Sequence, residues 1–295
     1  MKTLLLPNQI EIATLNNTET ISLYHEIFVK EAYLKNGIEV YPGDCVFDIG
    51  ANIGMFSLFM ATRFSNLSLF SFEPVPAIYK VLQHNSQQHF GNVDAHTFNI
   101  GLSDSARVEQ FQFNSRISMT SGMYGKSLEG ANKKGQSLLV WIRALLHDIA
   151  DIHQNIAKFC HFLIKLLTIP VIGFLVFILI SIPLIGYLFY LKYTTHTVNC
   201  RLDTISNIIQ NNSIHTIDLL KIDVEGSEWD VIMGIEEQDW VKCKQFVIEI
   251  HDIENRVEKM KQLFEKKGFH VIIDQPDFEL LELMNIYTLY AKRKE

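Results

Sequence analysis

Apolar and polar positions alternate along most of this chain in short runs, as in a sheet with helices between its strands. Seven strand-length apolar runs are bounded by turn residues, at 45–50, 67–73, 92–98, 216–223, 245–251, 269–273 and 285–293. Between the first two runs, residues 52–64 have helical spacing, and residues 256–268 form an amphipathic helical pattern that ends at Gly268. This alternation predicts a doubly wound α/β sheet.

One long stretch between the third and fourth strands departs from this pattern. Residues 166–191 contain no charged side chain, and IPVIGFLVF at 169–177 returns as IPLIGYLFY at 182–190. In the preceding residues 137–167, polar side chains recur at spacings of four and three and form one narrow helical stripe. A single membrane crossing here would separate the strands on either side of it. We therefore interpret residues 138–192 as a helical insert on one membrane face, with a packed lid or a dimerisation arm as alternatives.

Charge and cysteine content refine this picture. The 295 residues have a formal net charge of −7, yet residues 126–196 carry seven Lys or Arg against three Asp or Glu. An acidic body argues against a nucleic-acid partner, whereas a basic insert favours an anionic membrane surface. The four cysteines include no Cys-x-x-Cys pair, and the N-terminal apolar run is short for a secretory signal. We expect a reducing compartment and the cytoplasmic face of a membrane.

The clearest chemical motif is FDIGANIG at residues 47–54, where an apolar strand runs into Asp-x-Gly-x-Asn-x-Gly at the start of a helix. Glycine at such a turn lets a ligand approach the backbone while the helix amides face it. The spacing matches neither Gly-x-Gly-x-x-Gly nor a phosphate-binding loop. It indicates a nucleotide-type ligand at the carboxyl ends of parallel strands, with a tight turn alone as the alternative.

Two further strand ends point to the same ligand. Glu73 ends the second strand, where a carboxylate can accept hydrogen bonds from both hydroxyls of a ribose. The alternative is a carboxylate in the N-cap region of the next helix, without a ligand. NIGLSD at residues 99–104 follows the third strand, where backbone and small side chains could line an adenine ring.

Five blocks of the sequence, in this order, resemble FkbM-type S-adenosylmethionine-dependent methyltransferases. They are LYHEIFVKEAYLKNG, VFDIGANIGMFSLFM, FEPVPAIYKVLQHN, IDLLKIDVEGSEWDVIMGI and FVIEIHD. The resemblance as a whole covers roughly residues 20–125 and 197–293. SMTSGMY at 118–124 resembles variants found with polyketide and nonribosomal-peptide pathways. The resemblance implies a class I, Rossmann-like sheet of seven mostly parallel strands with one antiparallel strand, and methyl transfer to a hydroxyl oxygen.

The resemblance also implies positions for the cofactor, S-adenosylmethionine. Its methionine end would be held by Asp48, Gly50, Asn52 and Gly54, its ribose by Glu73, and its adenine side by Gly101, Leu102 and Ser103. Glu26, in the first of the five blocks, would close over the site.

The ends of the fourth and fifth strands carry the groups expected to act on the methyl acceptor. A hydroxyl nucleophile benefits from a base that takes its proton, and the intrinsic pKa of His251 suits that role. Asp223 or Glu225 would orient His251 or the substrate. The alternatives are a histidine that only hydrogen-bonds a carboxylate and a cluster that ligates a divalent cation; we expect no metal.

These observations predict a methyltransferase domain in two parts, residues 1–125 and 197–295, separated by a helical membrane-associated insert at 126–196. The predicted function is an S-adenosylmethionine-dependent O-methyltransferase acting on a hydrophobic, lipid-linked, polyketide-type or sugar-type hydroxyl. The alternatives are an inactive membrane scaffold that retains the fold and a nucleotide-dependent oxidoreductase.

Overall fold

The computed structural model describes residues 1–113, 195–275 and 285–294, together with 162–166, 178, 181–182 and 186. The SMTSGMY motif and most of the proposed membrane insert therefore lie outside the described residues. In the described part of the chain, no helix combines the length and the apolar character that crossing a bilayer requires.

A seven-stranded sheet forms the centre of the molecule. Its strands, in spatial order, are β11 (Phe269–Asp274), β12 (Ile286–Arg293), β10 (Gln245–His251), β9 (Leu219–Ile222), β3 (Cys45–Ile49), β4 (Ser68–Phe72) and β5 (Asp94–Phe98). Strand β12 runs antiparallel to both of its neighbours, and the other neighbouring pairs are parallel. All seven strands coincide with apolar runs in the sequence, and the predicted fold class is confirmed.

Strands from both sides of the undescribed segment meet inside this sheet. Strand β3 pairs with β9 in parallel, with Asp48 opposite Lys221 and Ile49 opposite Ile222. The two flanks of the chain therefore build one sheet, and the β3 and β9 ends lie side by side. Ligands in open parallel sheets bind at such carboxyl ends.

Helices cover both faces of the sheet, which is why its central strands are apolar at nearly every position. They are α2 (Met55–Arg63), α3 (Pro76–His89), α4 (Ile205–Asn211), α5 (Glu228–Met233) and α6 (Arg256–Lys266), whereas α1 (Asn17–Tyr24) precedes them in the N-terminal segment. Successive residues of β3 point to opposite faces, so Val46 joins the core around α2 and α3, whereas Phe47 joins the core around α4, α5 and α6. The helices predicted at 52–64 and 256–268 correspond to α2 and α6.

An N-terminal segment covers the carboxyl ends of the strands, and the sequence patterns did not predict it. It contains the hairpin of β1 (Lys2–Leu5) and β2 (Glu11–Thr14), helix α1, a π-helical turn at His25–Val29 and a 3₁₀ turn at Ala32–Leu34. Buried Asn85 anchors the hairpin, because its side chain accepts from Ala13 N at 2.8 Å and donates to Ile53 O at 2.8 Å. The Tyr290 hydroxyl holds the 3₁₀ turn by donating to Ala32 O at 2.6 Å.

A second, three-stranded sheet stands beside the main one. It consists of β6 (Gly101–Leu102), β8 (His196–Asp203) and β7 (Arg107–Phe113), in that order. Strands β7 and β8 are antiparallel, and Phe113 pairs with His196. The stretch from 114 to 194, most of which is not described, therefore begins and ends next to paired positions of this sheet.

Candidate active site

A cavity lies at the carboxyl ends of β3, β4, β9 and β10, between the sheet and the N-terminal segment. Nine of the twelve site residues named from the sequence line it, namely Glu26, Gly50, Asn52, Glu73, Gly101, Leu102, Ser103, Asp223 and Glu225. The other three, Asp48, Gly54 and His251, lie behind its wall. Both flanks of the chain contribute to the lining.

The turn after β3 packs directly against the end of β9. Gly50 has a φ of +76°, and a Cβ atom built on it would lie 1.8 Å from the carbonyl oxygen of Asp223. The Gly50 carbonyl in turn accepts a hydrogen bond from Lys221 Nζ at 3.0 Å. Only glycine combines this backbone conformation with this close approach.

The carboxylate of Glu73 connects the ends of β3 and β4. It is 5% exposed, and its two oxygens accept hydrogen bonds from Asn52 N at 3.1 Å and Val75 N at 2.8 Å. Burial raises the pKa of Glu73 to about 7, although these two amides act in the opposite direction. Each oxygen keeps a second lone pair, so this carboxylate can still accept from a ribose diol in the cavity.

An apolar part of the cavity adjoins Glu73. Its lining includes Pro74, Ile78, Leu102, Phe111 and Leu202. Strand β6 holds Leu102 there, and the next residue is fixed by the hydrogen bond from Ser103 N to Asp203 O at 2.8 Å. Such a surface, beside a carboxylate that can accept from a diol, suits the flat ring system of an adenine.

The structure corrects the role expected of Asp48. This side chain is fully buried below the cavity, where it pairs with Lys221 Nζ at 3.2 Å and accepts from Ser57 Oγ at 2.6 Å. Lys221, which the sequence analysis did not select, lines the cavity and lies 3.5 Å from Asp223 Oδ2. Burial disfavours its charge, but Asp48 and Asp223 outweigh burial and raise the pKa of Lys221. The sequence did contain a signal for this residue, because a lysine within the otherwise apolar strand LLKI is unusual.

Gly54 also has a structural role rather than direct contact with the cavity. It stands immediately before α2 with a φ of +90°. A Cβ atom at this position would lie 2.8 Å from Leu82 Cδ1 of α3, so the missing side chain allows α2 and α3 to pack closely.

Carboxylates gather at the other part of the cavity. Glu26, Asp223, Glu225 and Glu249 line it, and the Tyr33 hydroxyl donates to Asp223 Oδ2 at 3.1 Å. Burial and the charge of Asp223 raise the pKa of Glu26 to about 7. The same two causes raise the pKa of Glu249 well above its ordinary value. This part of the cavity can hold cationic groups and accept protons.

His251 lies one layer behind these carboxylates. Its Nδ1 is 2.9 Å from Glu228 Oε1, and its Nε2 is 3.5 Å from Glu225 Oε2. Burial lowers the pKa of His251, but the two neighbouring carboxylates, Glu225 as an ion pair and Glu228 as a hydrogen-bond partner, outweigh burial and raise it to about 11. A protonated imidazole cannot accept a proton, so this geometry does not favour the base role expected from the sequence. His251 instead holds Glu225 in place.

Glu228, in turn, is fixed from three sides. Its carboxylate accepts hydrogen bonds from Arg256 Nη1 at 2.8 Å and from Gly226 N at 2.6 Å, besides its contact with His251. The loop between β9 and α5 is therefore held by a buried ionic network. Among the residues that the structure describes, no group of three or more His, Cys, Asp or Glu side chains is arranged to hold a metal ion.

Comparison with known proteins identifies the family of this chain. A family model described as the methyltransferase FkbM domain matches residues 182–271. The 31-O-demethyl-FK506 methyltransferase FkbM of Streptomyces tacrolimicus is 30% identical over 277 residues, which cover 93% of this chain and 91% of that protein.

Two other relatives match over most of the chain. Methyltransferase 1 of Beauveria bassiana is 26% identical over 92% of this chain and 89% of its own length. The AMB antimetabolite synthetase AmbE of Pseudomonas aeruginosa is 32% identical over 98% of this chain, which corresponds to 12% of AmbE.

Proposed function

This chain belongs to the FkbM methyltransferase family, and from that premise we propose that it is an O-methyltransferase acting on a hydroxyl of a hydrophobic or lipid-linked metabolite. The observation that carries the proposal is the cavity itself, where an adenosine-type surface and a cluster of proton-accepting carboxylates adjoin each other. The name of the Streptomyces relative describes methylation at an oxygen, which supports the same reaction here.

S-adenosylmethionine is the cofactor that family membership implies, and when bound it supplies an electrophilic methyl group. The donor set fits this molecule. We assign Glu73 to the ribose diol, residues 101–103 with their apolar neighbours to the adenine, and the turn at Gly50 and Asn52 to the methionine end. The acidic part of the cavity provides negative charge for a sulfonium.

The residues of this chain are proposed to contribute position and proton transfer. Tyr33 and Lys221 hold Asp223 at the cavity wall, and the His251–Glu228–Arg256 network holds the loop that carries Glu225. A fixed cavity of this kind raises the rate by keeping nucleophile and methyl group in line. A hydroxyl acceptor also needs a group that takes its proton, and a carboxylate of raised pKa suits that task near neutral pH.

The decisive experiment combines binding and turnover. Calorimetry should detect binding of S-adenosylhomocysteine but not of NAD, because the cavity carries no pyrophosphate-type glycine motif. Incubation with methyl-labelled cofactor and a lipid extract of the native cell, followed by mass spectrometry, should give a labelled ether. Absence of cofactor binding would support a scaffold that has lost turnover and would refute the proposal.

We also propose that residues 138–192 attach the protein to the cytoplasmic face of a membrane. The support is the uncharged run at 166–191 and the basic balance of the insert. Because Phe113 and His196 pair across β7 and β8, residues 114–134 alone can join these strands once the insert is removed. Deletion of residues 135–195 should leave a folded protein that binds S-adenosylhomocysteine and no longer sediments with membranes. A deletion variant that still sediments would refute the attachment.

A further inference from the structure

Three carboxylates from three separate elements meet at the acidic part of the cavity. Glu26 comes from the π-helical turn, Asp223 follows β9, and Glu249 lies on β10. Asp223 is the one supplied with partners, since Tyr33 donates to it and Lys221 lies 3.5 Å away. In the described ranges 1–113, 195–275 and 285–294, no side-chain hydrogen bond or ion pair reaches the carboxylates of Glu26 and Glu249.

The cations near this cluster are already engaged. Lys221 pairs with Asp48 and Asp223. His251 pairs with Glu225 and Glu228, and Arg256 pairs with Glu228. The charged or titratable groups that act on Glu26 and Glu249 are Lys30, Tyr33, Lys221, Asp223, Glu225 and His251. On the neighbouring strand β12, the residue opposite Glu249 is the uncharged Thr288. Carboxylates therefore outnumber cations, and full ionisation of the cluster is unfavourable in a largely buried site.

A second observation shows that this end of the cavity is built for a polar ligand. Ser227 lines the cavity, is 6% exposed, and its Oγ has no hydrogen-bond partner among the described residues. A buried hydroxyl without a partner carries a desolvation cost, which a bound hydroxyl or amine can relieve. Ser227 lies two residues after Glu225, so it belongs to the same wall as the carboxylates.

We propose that Glu26 and Glu249 together hold a proton in the free protein, release it when the positively charged cofactor binds, and then accept the proton of the methyl acceptor. This inference rests on the proposed function and names its proton acceptor. The pKa values fit it, because burial and Asp223 raise the pKa of Glu26 to about 7 and that of Glu249 well above the ordinary range. A nearby sulfonium lowers both, since it stabilises the ionised form.

The proton count closes over the reaction. The acceptor oxygen forms its bond to the methyl carbon, the carbon–sulfur bond breaks with its electron pair left on sulfur, and the hydroxyl proton passes to the ionised carboxylate. A sulfonium and a carboxylate are thus replaced by a neutral thioether and a carboxylic acid. The transfer removes two opposite charges from a low-dielectric cavity and returns the carboxyl pair to its proton-bearing state.

Calorimetry at pH 6.5 tests this inference without knowledge of the acceptor. Proton release follows from the enthalpies measured in phosphate and in imidazole buffer, which differ in ionisation enthalpy. S-adenosylmethionine should release on the order of one proton more than S-adenosylhomocysteine, because the two ligands differ by the methyl group and its charge. In the double variant Glu26→Gln with Glu249→Gln this difference should disappear, while Glu265→Gln on the exposed face of α6 should retain it.

Each outcome decides a separate question. The comparison of wild type with the double variant cancels any proton that the amino group of the ligand exchanges. Equal proton release by both ligands in the wild type would overturn the inference and leave the proposed function standing. Failure of both ligands to bind would overturn the proposed function and this inference with it. If the double variant does not fold, Glu26→Gln and Glu249→Gln made singly supply the same comparison, and a difference that is unchanged in both would overturn the inference.

Discussion

The contact between Gly50 and the end of β9 gives the sharpest test of how the site is assembled. Replacing Gly50 by Ala introduces a Cβ atom 1.8 Å from the Asp223 carbonyl oxygen, far inside van der Waals contact. Gly43→Ala is the matched control, because Gly43 also has a positive φ, +95°, but no atom lies within 4 Å of its Cβ position. The two variants share the backbone strain of a left-handed alanine, about 1–2 kcal/mol.

The excess cost of Gly50→Ala comes from the displacement of β9 relative to β3. This movement breaks the hydrogen bond from Asp223 N to Ile49 O at 3.1 Å and the one from Lys221 Nζ to the Gly50 carbonyl at 3.0 Å. At about 1 kcal/mol for each bond, Gly50→Ala should lower the free energy of unfolding by at least about 2 kcal/mol more than Gly43→Ala. That is a large fraction of the roughly 5–15 kcal/mol that stabilises a typical domain.

Urea denaturation of both variants measures this difference, provided that their m values agree with that of the wild type. Calorimetry with S-adenosylhomocysteine adds an independent readout, because Gly43→Ala should bind normally and Gly50→Ala should bind weakly. Equal destabilisation of the two variants, with equal ligand affinity, would refute the close packing of these two distant parts of the chain.

Four further predictions concern the charged residues of the site. Lys221→Met should destabilise the protein by about 3–5 kcal/mol in urea denaturation, because Asp48 is left buried without a counter-ion, and adding Asp48→Asn should recover part of this loss. Glu73→Gln should weaken S-adenosylhomocysteine binding about tenfold in calorimetry, which corresponds to one lost hydrogen bond to a charged group. The pKa of Glu73 is raised from 4.5 to about 7 in the folded protein, so the folded state binds this proton more tightly than the unfolded chain does. The resulting stabilisation is complete below about pH 4.5, and the free energy of unfolding should therefore fall as the pH rises from 4.5 to 7. This fall should be smaller in Glu73→Gln. The imidazole of His251, whose pKa is about 11, should stay protonated from pH 5.5 to 8.5 in NMR spectra, and a midpoint near 6.5 would contradict the ionic network.

Much of the fold was predictable because its signals are local. All seven strands of the main sheet coincide with strand-length runs in the sequence, and the central strands β3, β4, β9 and β10 are the clearest because both of their faces are buried. The pattern at 256–268 predicted α6 because only one face of this helix is buried, so its apolar side chains recur at helical spacing. Strands β6, β7 and β8 were missed because they are short or largely exposed, so their alternation carries little information.

The N-terminal wall of the cavity was less predictable than the motif it covers. Tyr33 is 4% exposed and reaches Asp223, which lies 190 positions further along the chain. No periodicity marks such a residue, because the contact depends on where the 3₁₀ turn lands on the finished sheet. Glu26 was named from its block of family resemblance, not from a pattern in the surrounding residues.

The sequence by itself determined which strand ends would carry the chemistry, because an apolar strand followed by glycine, acidic and amide residues is a local feature. Only the tertiary structure decided what each of these groups does. It placed Asp48 under the cavity as the partner of Lys221, and it placed His251 between two carboxylates that keep it protonated. The charge of a buried group depends on its burial and on neighbours from other strands, and these are set only when the distant parts of the chain have come together.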